Sequence, residues 1–129
     1  NGKLAVNAVD GNPRSVWHSR FDSGVAAPPH ELVLDLGGTY DVSGFRYLAR
    51  QDSGWNGAFG KAAFTVSNSP EDFGDPAVIV EFKKTKKSQA AHCTNPVRGR
   101  YVRVRSMTEL NGSKWGSAAE IGFVGKKTK

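Results

Sequence analysis

Leu32-Val33-Leu34-Asp35-Leu36 places a leucine at every second position of a short segment. A period of two puts these leucines on one face of an extended strand. The segment 101–105, which reads Tyr-Val-Arg-Val-Arg, repeats the alternation with valines and arginines. Strands with one apolar and one polar face are typical of antiparallel sheets that cover a core on one side.

Apolar segments of this kind recur along the chain, and turn-forming residues separate them. The predicted strands span 32–36, 42–49, 62–67, 78–82, 101–105 and 121–124. Pairs such as Pro28-Pro29 and Gly37-Gly38 break the pattern between strands. Helix is predicted only for a turn or two at 4–9. This rhythm predicts an all-β protein built as an antiparallel β-sandwich.

The length of 129 residues fits a single domain with one core. We expect residues 1–125 to form the sandwich and residues 126–129 to form a basic C-terminal tail. No apolar run approaches the roughly 20 residues that span a bilayer, so no transmembrane segment is predicted. Cys93 is the only cysteine, which excludes an internal disulfide and favours a merely structural thiol.

The chain carries 18 lysines and arginines against 12 acidic residues, a formal net charge of +6. An excess of this sign is compatible with acidic partners such as nucleic acid, anionic lipid or an acidic glycan. Most of the lysines, however, lie in two runs, at 83–87 and 126–129, which we interpret as solvated surface. Nucleic-acid binding is not predicted, because aromatic residues are not interleaved with the basic ones.

A polar loop near the start of the chain collects oxygen-bearing side chains. Asp10, Asn12 and Ser15 lie close together, and Gly11 permits a sharp turn between them. Hard cations such as calcium prefer oxygen ligands of these types. The same residues also cap and turn a backbone without any metal, so both interpretations stay open on the loop alone.

Trp17-His18 follows this polar loop, and further motifs occur along the rest of the chain. They are Pro28-Pro29-His30, Arg50-Gln51-Asp52, Asn56-Gly57, Arg100-Tyr101-Val102-Arg103 and Ala118-Ala119-Glu120-Ile121. With them, residues 5–124 resemble a discoidin-type carbohydrate-binding module of family 32. The resemblance is to the galactose-binding modules of galactose oxidase and bacterial sialidases, and it implies a jelly-roll-like, galactose-binding-domain-like sandwich of eight strands.

The resemblance also implies a structural calcium ion and its ligands. Carried over to this sequence, the ligands are Asn7, Asp10, Asn12, Ser15, Ala119 and Glu120. Asn7 and Ala119 would contribute backbone carbonyls. Two carboxylates with neutral oxygens suit a divalent, hard cation.

The resemblance places a shallow sugar site on the loops at one rim. The implied ligand-binding residues are His18, Phe21, Arg50, Asn56 and Trp115, with Arg20 and Trp55 as additional rim candidates. Four of them have a structural alternative: His18 as a core histidine, Phe21 and Trp115 as packing residues, and Arg50 as a partner of Asp52 alone. Trp17 is predicted to lie in the core, as a large aromatic residue usually does.

The favoured function is a non-catalytic module that recognises galactose or related terminal sugars and tethers a parent enzyme to glycan. The alternatives are an acidic-glycan binder (uronate, sulfated or sialylated) and a discoidin-like lipid or cell-surface module. Intrinsic catalysis is not predicted, because Asp52 and Glu109 are not spaced as an acid/base pair. We expect a monomeric module cut from a larger polypeptide. The resemblance implies that this polypeptide is secreted, extracellular or periplasmic, although no signal-peptide pattern is recognised within these 129 residues.

Overall fold

The computed structural model describes residues 5–19 and 29–128, which are almost entirely β-structure. A single turn of 3-10 helix occupies Ala5–Ala8. The strands in this part of the chain are β1 (Trp17–His18), β2 (His30–Leu48), β3 (Lys61–Ser67), β4 (Val78–Glu81), β5 (Gln89–Ser106), β6 (Ser117–Ala118) and β7 (Glu120–Lys127). The predicted all-β fold class is therefore confirmed.

All strand pairs are antiparallel, in a five-stranded sheet of order β4-β3-β5-β2-β7 and a separate β1–β6 pair. The long strands β2 and β5 change register between Asp35 and Tyr40 and again between Val42 and Gly44. Irregularities of this kind bend a sheet. The Phe45 ring of β2 stacks on Phe64 of β3 at 4.5 Å between centroids, so the two halves of the bent sheet face each other as the layers of a sandwich.

The alternation in the opening segment decides which side of the sheet is buried. Leu32 pairs with Val104 and Leu34 pairs with Val102, and all four pack on the core. On the opposite face of the same strands, Glu31 forms an ion pair with Arg105. The period-two prediction for both segments is therefore confirmed.

Three strands extend beyond their predicted limits. The segments 32–36 and 42–49 join in β2, and β5 begins at Gln89 rather than at residue 101. Strand β7 continues to Lys127, where Lys126 and Lys127 pair with Asp41 and Tyr40. Lysine and glycine have low strand propensity, and the pairing with β2 supplies what the local sequence lacks.

Cys93 lies in β5 and is partly buried. Burial raises the pKa of its thiol, which disfavours the reactive thiolate. Within the described ranges, no helix has the length and apolarity needed to cross a membrane.

Candidate functional site

The Trp17-His18 segment is joined to the C-terminal part of the chain by the short β1–β6 pair. Trp17 pairs with Ala118 and His18 pairs with Ser117. Trp17 is 7% exposed and meets Phe59 edge-on, with 6.3 Å between ring centroids. The prediction that Trp17 lies in the core is confirmed, and the tryptophan fixes the position of the histidine that follows it.

His18 and Trp115 lie side by side, with 6.1 Å between ring centroids and a 54° tilt. His18 is 6% exposed, and its Nδ1 lies 2.6 Å from the carbonyl oxygen of Ser19. The backbone N–H of Gly116 donates to Ser19 Oγ (2.9 Å), and the N–H of Ser19 donates to the carbonyl of Gly116 (2.7 Å). These bonds hold the segments that carry both rings against each other.

Trp115 also borders space at the surface, because residues 112–115 line a cavity there. His30, the first residue of β2, contacts this loop. Its Nε2 forms a hydrogen bond with the carbonyl of Lys114, and its ring lies against Gly116. The loop therefore presents the indole from a backbone that is fixed on two sides.

Arg50 is fully oriented by neighbouring groups. Its Nε and Nη2 donate to the two carboxylate oxygens of Asp52 (2.8 and 2.7 Å), and its Nη1 donates to the carbonyl of Asn56 (3.2 Å). The hydrogen bonds from Arg50 are the main reason that the pKa of Asp52 falls to about 2. The pairing of Arg50 with Asp52 is thus present, and it fixes the guanidinium beside Asn56.

Asn56 and Gly57 connect this loop to β6. Ser117 Oγ donates to the carbonyl of Asn56 (2.6 Å), and the N–H of Ser117 donates to the carbonyl of Gly57 (2.7 Å). The Asn56 side chain is exposed. Because Ser117 pairs with His18, these bonds bring Arg50, Asn56, His18 and Trp115 to one rim of the sandwich.

Glu109 holds two of the rim loops together from inside the protein. It is 4% exposed, and its carboxylate accepts hydrogen bonds from the backbone N–H groups of Gly57 (2.6 Å) and Ser113 (3.0 Å). Sequence reasoning considered Glu109 only as a catalytic acid and missed this supporting role. No local signal distinguishes it from a solvated loop carboxylate, since Gly57, the partner that joins it to a second loop, is 52 residues away in the sequence.

Trp55 packs partly against the core, and Lys86 covers one face of its ring. The Lys86 ammonium lies 3.9 Å from the ring centroid, and that of Lys84 lies 5.2 Å away. The two other predicted rim residues, Arg20 and Phe21, lie outside the described residues.

The predicted metal ligands of the front loop also meet. Ser15 Oγ lies 2.5 Å from Asp10 Oδ2 and 3.0 Å from the carbonyl oxygen of Asn12. It lies 3.3 Å from the carbonyl oxygen of Asn7. The bond from Ser15 is the main cause of a lowered pKa of Asp10. The turn interpretation holds as well, because Asn12 Oδ1 accepts the N–H of Arg14 (3.0 Å).

Glu120 brings a second carboxylate to this loop from the far end of the chain. Its Oε2 is buried and has no hydrogen-bond partner in the described part of the chain. Burial raises the pKa of Glu120 and the charge of Asp10 raises it further, whereas the backbone of Gly11 lowers it. Ala119, which is fully buried, fixes the adjacent backbone by donating its N–H to Leu48 (2.9 Å).

Two converging carboxylates with an orphaned, buried oxygen are an unfavourable arrangement without a compensating cation. The surrounding groups are hydroxyl and carbonyl oxygens, the ligands that a hard divalent ion prefers. The residues therefore fit the calcium ion that the resemblance implies.

Comparison with known proteins agrees with this architecture. The family model described as "F5/8 type C domain" matches residues 1–121. Galactose oxidase of Gibberella zeae is 33% identical over 123 residues, which cover 94% of this chain and 18% of that protein. A sialidase of Micromonospora viridifaciens is 34% identical over 126 residues, which cover 95% of this chain and 19% of that protein. The chain thus spans less than a fifth of the length of these relatives.

Solved structures give the same result at the level of the fold. The Clostridium perfringens module CpGH89CBM32-5, in complex with GalNAc-beta-1,3-galactose, matches with a TM-score of 0.83 and 26% identity, covering 93% of this chain and 82% of that one. CBM32-3, from a family 31 glycoside hydrolase of the same bacterium, matches with a TM-score of 0.88 and 24% identity, covering 98% and 85%. The chain therefore belongs to the F5/8 type C, or discoidin-type, domain family, and its structural neighbours are family 32 carbohydrate-binding modules.

Proposed function

We propose that this domain is a non-catalytic module that binds galactose or a related terminal sugar at the rim formed by His18, Arg50, Asn56 and Trp115. The observation that carries the proposal is the placement of the His18 and Trp115 rings side by side, next to an exposed Asn56. Membership of a family whose neighbours include a module solved with GalNAc-beta-1,3-galactose supports it.

The chemistry of these side chains suits a pyranose. An indole covers the apolar C–H face of a sugar ring, whereas an amide both donates to and accepts from hydroxyl groups. A guanidinium has five N–H donors, and three of them serve Asp52 and Asn56, so Arg50 retains donors in a fixed orientation. A side chain that is already oriented loses little entropy when a ligand arrives.

We expect weak binding to a single sugar and useful attachment only through linkage. A dissociation constant near ~1 mM corresponds to about 4 kcal/mol, which is typical of a shallow site. Covalent connection to other domains raises the effective concentration of the site at a glycan surface. We therefore also propose that the domain tethers a larger, extracellular, glycan-active enzyme, since it spans less than a fifth of a galactose oxidase and of a sialidase.

The test is calorimetric titration with galactose, N-acetylgalactosamine and glucose in the presence of calcium. We expect heat for the galactosides, at least a tenfold weaker interaction for glucose, and loss of binding in His18→Ala and Arg50→Ala. His92→Ala and Arg46→Ala are the matched controls, because both side chains are exposed on the sheet. Absence of heat with every galactoside refutes the specificity.

We propose further that Asp10, Ser15 and Glu120, with the carbonyls of Asn7, Asn12 and Ala119, hold a structural calcium ion. Binding to the folded state alone stabilises a protein by about 2.7 kcal/mol at a hundredfold excess over the dissociation constant. Excess chelator should therefore lower the melting temperature of a calcium-loaded sample by roughly 8–13 °C. Glu120→Gln should abolish this response, and the exposed Glu71→Gln should keep it. An unchanged melting curve in the wild type counts against the site.

An acidic glycan is the second candidate ligand, and the distribution of charge favours it. Arg98, Arg100 and Arg105 of β5 form ion pairs with carboxylates of β2, so their charge is largely compensated. Of the remaining positive charge, the lysines of the run 83–87 lie nearest the candidate rim, because Lys84 and Lys86 approach the ring of Trp55. Sulfated or uronate-bearing galactosides should then bind more tightly than galactose, with an advantage that disappears at high salt. Equal affinities at low salt would exclude this candidate.

A further inference from the structure

The lysine run at 83–87 includes one side chain that is tied into the candidate sugar-binding loop. Lys86 Nζ donates to the carbonyl of Arg50 (2.8 Å) and to the carbonyl of Gly54 (2.5 Å). The same ammonium lies 3.9 Å from the centroid of the Trp55 ring, within cation–π distance. All three contacts fall within residues 50–55, so a single side chain spans both ends of this turn.

The segment that carries Lys86 is itself fixed. The Gln89 side chain accepts the N–H of Lys83 (2.8 Å) and donates to its carbonyl (2.9 Å), which closes the turn between them. In return, Gln51 Nε2 donates to the carbonyl of Lys86 (3.0 Å). The two loops are therefore connected in both directions, and the ammonium is presented by a defined backbone.

Lys86 also differs electrostatically from a solvated surface lysine. Burial lowers the pKa of its ammonium, and the positive charges of Arg50 and Lys84 lower it further. The Asp52 carboxylate acts in the opposite direction and raises the pKa. A partly desolvated cation is unfavourable unless its N–H groups are bonded. The next residue, Lys87, is exposed, and its side chain forms no contact of this kind in the described residues. The interpretation of the whole run as solvated surface is thus wrong for Lys86.

We propose that Lys86 is a positioning residue for the sugar site: it holds the 50–54 turn in the conformation that orients Arg50 and Asn56. The connection is short, because Arg50 reaches Asn56 directly through its Nη1. On this proposal Trp55 serves the loop, since the ring face that Lys86 covers cannot also stack on a sugar. The choice of galactose as the ligand rests on the proposed function, whereas the contacts of Lys86 do not depend on it.

The experiment compares Lys86→Met, which keeps the aliphatic stem and removes the ammonium, with Lys87→Met, which makes the same change of charge one residue away. Titration with galactose should give a dissociation constant five- to tenfold higher for Lys86→Met and within twofold of wild type for Lys87→Met. Lys86→Arg, which can donate to both carbonyls and stack on the indole, should restore most of the affinity. Amide hydrogen exchange at residues 50–56 should accelerate in Lys86→Met alone.

Several results would overturn the proposal. If Lys86→Met and Lys87→Met bind galactose with affinities within twofold of each other, Lys86 has no specific role, whether both variants bind well or both bind poorly. A loss of affinity that merely follows the unfolded fraction, measured by circular dichroism at the same temperature, indicates general destabilisation instead. If the wild type binds no galactoside, the proposed function fails and hydrogen exchange decides this inference alone: faster exchange at 50–56 supports it, and unchanged exchange overturns it.

Discussion

Replacing Glu109 by glutamine should destabilise the domain more than is usual for an acidic residue in a polar loop. The carboxylate accepts the N–H groups of Gly57 and Ser113 at 2.6 and 3.0 Å, and the side chain is almost fully buried. Glutamine keeps one acceptor oxygen and turns an NH₂ group toward the other N–H, which leaves that donor unsatisfied. A hydrogen bond to a charged group contributes about 1.5–3 kcal/mol. The expected loss is therefore about 2–3 kcal/mol.

Urea unfolding followed by tryptophan fluorescence measures this loss by linear extrapolation. For a domain of this size, the melting temperature should fall by roughly 6–15 °C. Galactose affinity should fall as well, because Glu109 joins the loop of Asn56 to the loop of Trp115. Glu81→Gln is the control, since Glu81 is exposed on the edge strand β4 and should change stability by less than about 0.5 kcal/mol. Equal, small effects of both substitutions would refute the reasoning.

Two other predictions concern the same rim. Gly57→Ala should lower the free energy of unfolding by more than about 2 kcal/mol, because φ is +85° and an added Cβ would lie 2.7 Å from Ser117 N. Gly112→Ala is the control: φ is +76° there, but open space surrounds the residue, so the loss should be only about 1 kcal/mol. Equal losses for both variants in urea unfolding would contradict the contact at Gly57. The pKa of Asp52 lies at about 2, below its usual 3.8, so the stability that its pairing with Arg50 contributes is present above pH 4 and is lost as the pH falls through 2. A carboxyl carbon NMR titration should therefore give a midpoint near 2 in the wild type and a clearly higher midpoint in Arg50→Gln, in which the Gly54 N–H and the charge of Lys86 still lower the pKa. A wild-type midpoint near 3.8 rejects the pairing in solution.

The regular part of the fold could be predicted from the sequence because burial imposes a period. Leu32 and Leu34 face the core opposite Val104 and Val102, as the alternation of apolar and polar residues predicts. The ends of strands were less predictable. Lys126 and Lys127 belong to β7 because β2 offers them a hydrogen-bonding edge, and that partner is distant in sequence.

The contents of the candidate site were predictable as residue types, and their connections were not. The proximity of His18 and Trp115, which the resemblance implies, depends on β1 pairing with β6. The supporting roles of Glu109 and Lys86 arise from convergence of loops in space, and neither has a local signal. A lysine in a basic run and an acid in a polar loop look like solvent-exposed residues until their partners are known.

The pairing of β1 with β6 also has a consequence for the order of folding. Residues 17 and 118 are paired across the two strands, although most of the chain lies between them. Contacts that close so long a loop are entropically costly early in folding and tend to form once other structure has brought their ends together. During synthesis, the rim cannot be complete until Ser117 has left the ribosome. Ligand binding is therefore a late event, and a chain that binds ligand is one that has finished folding.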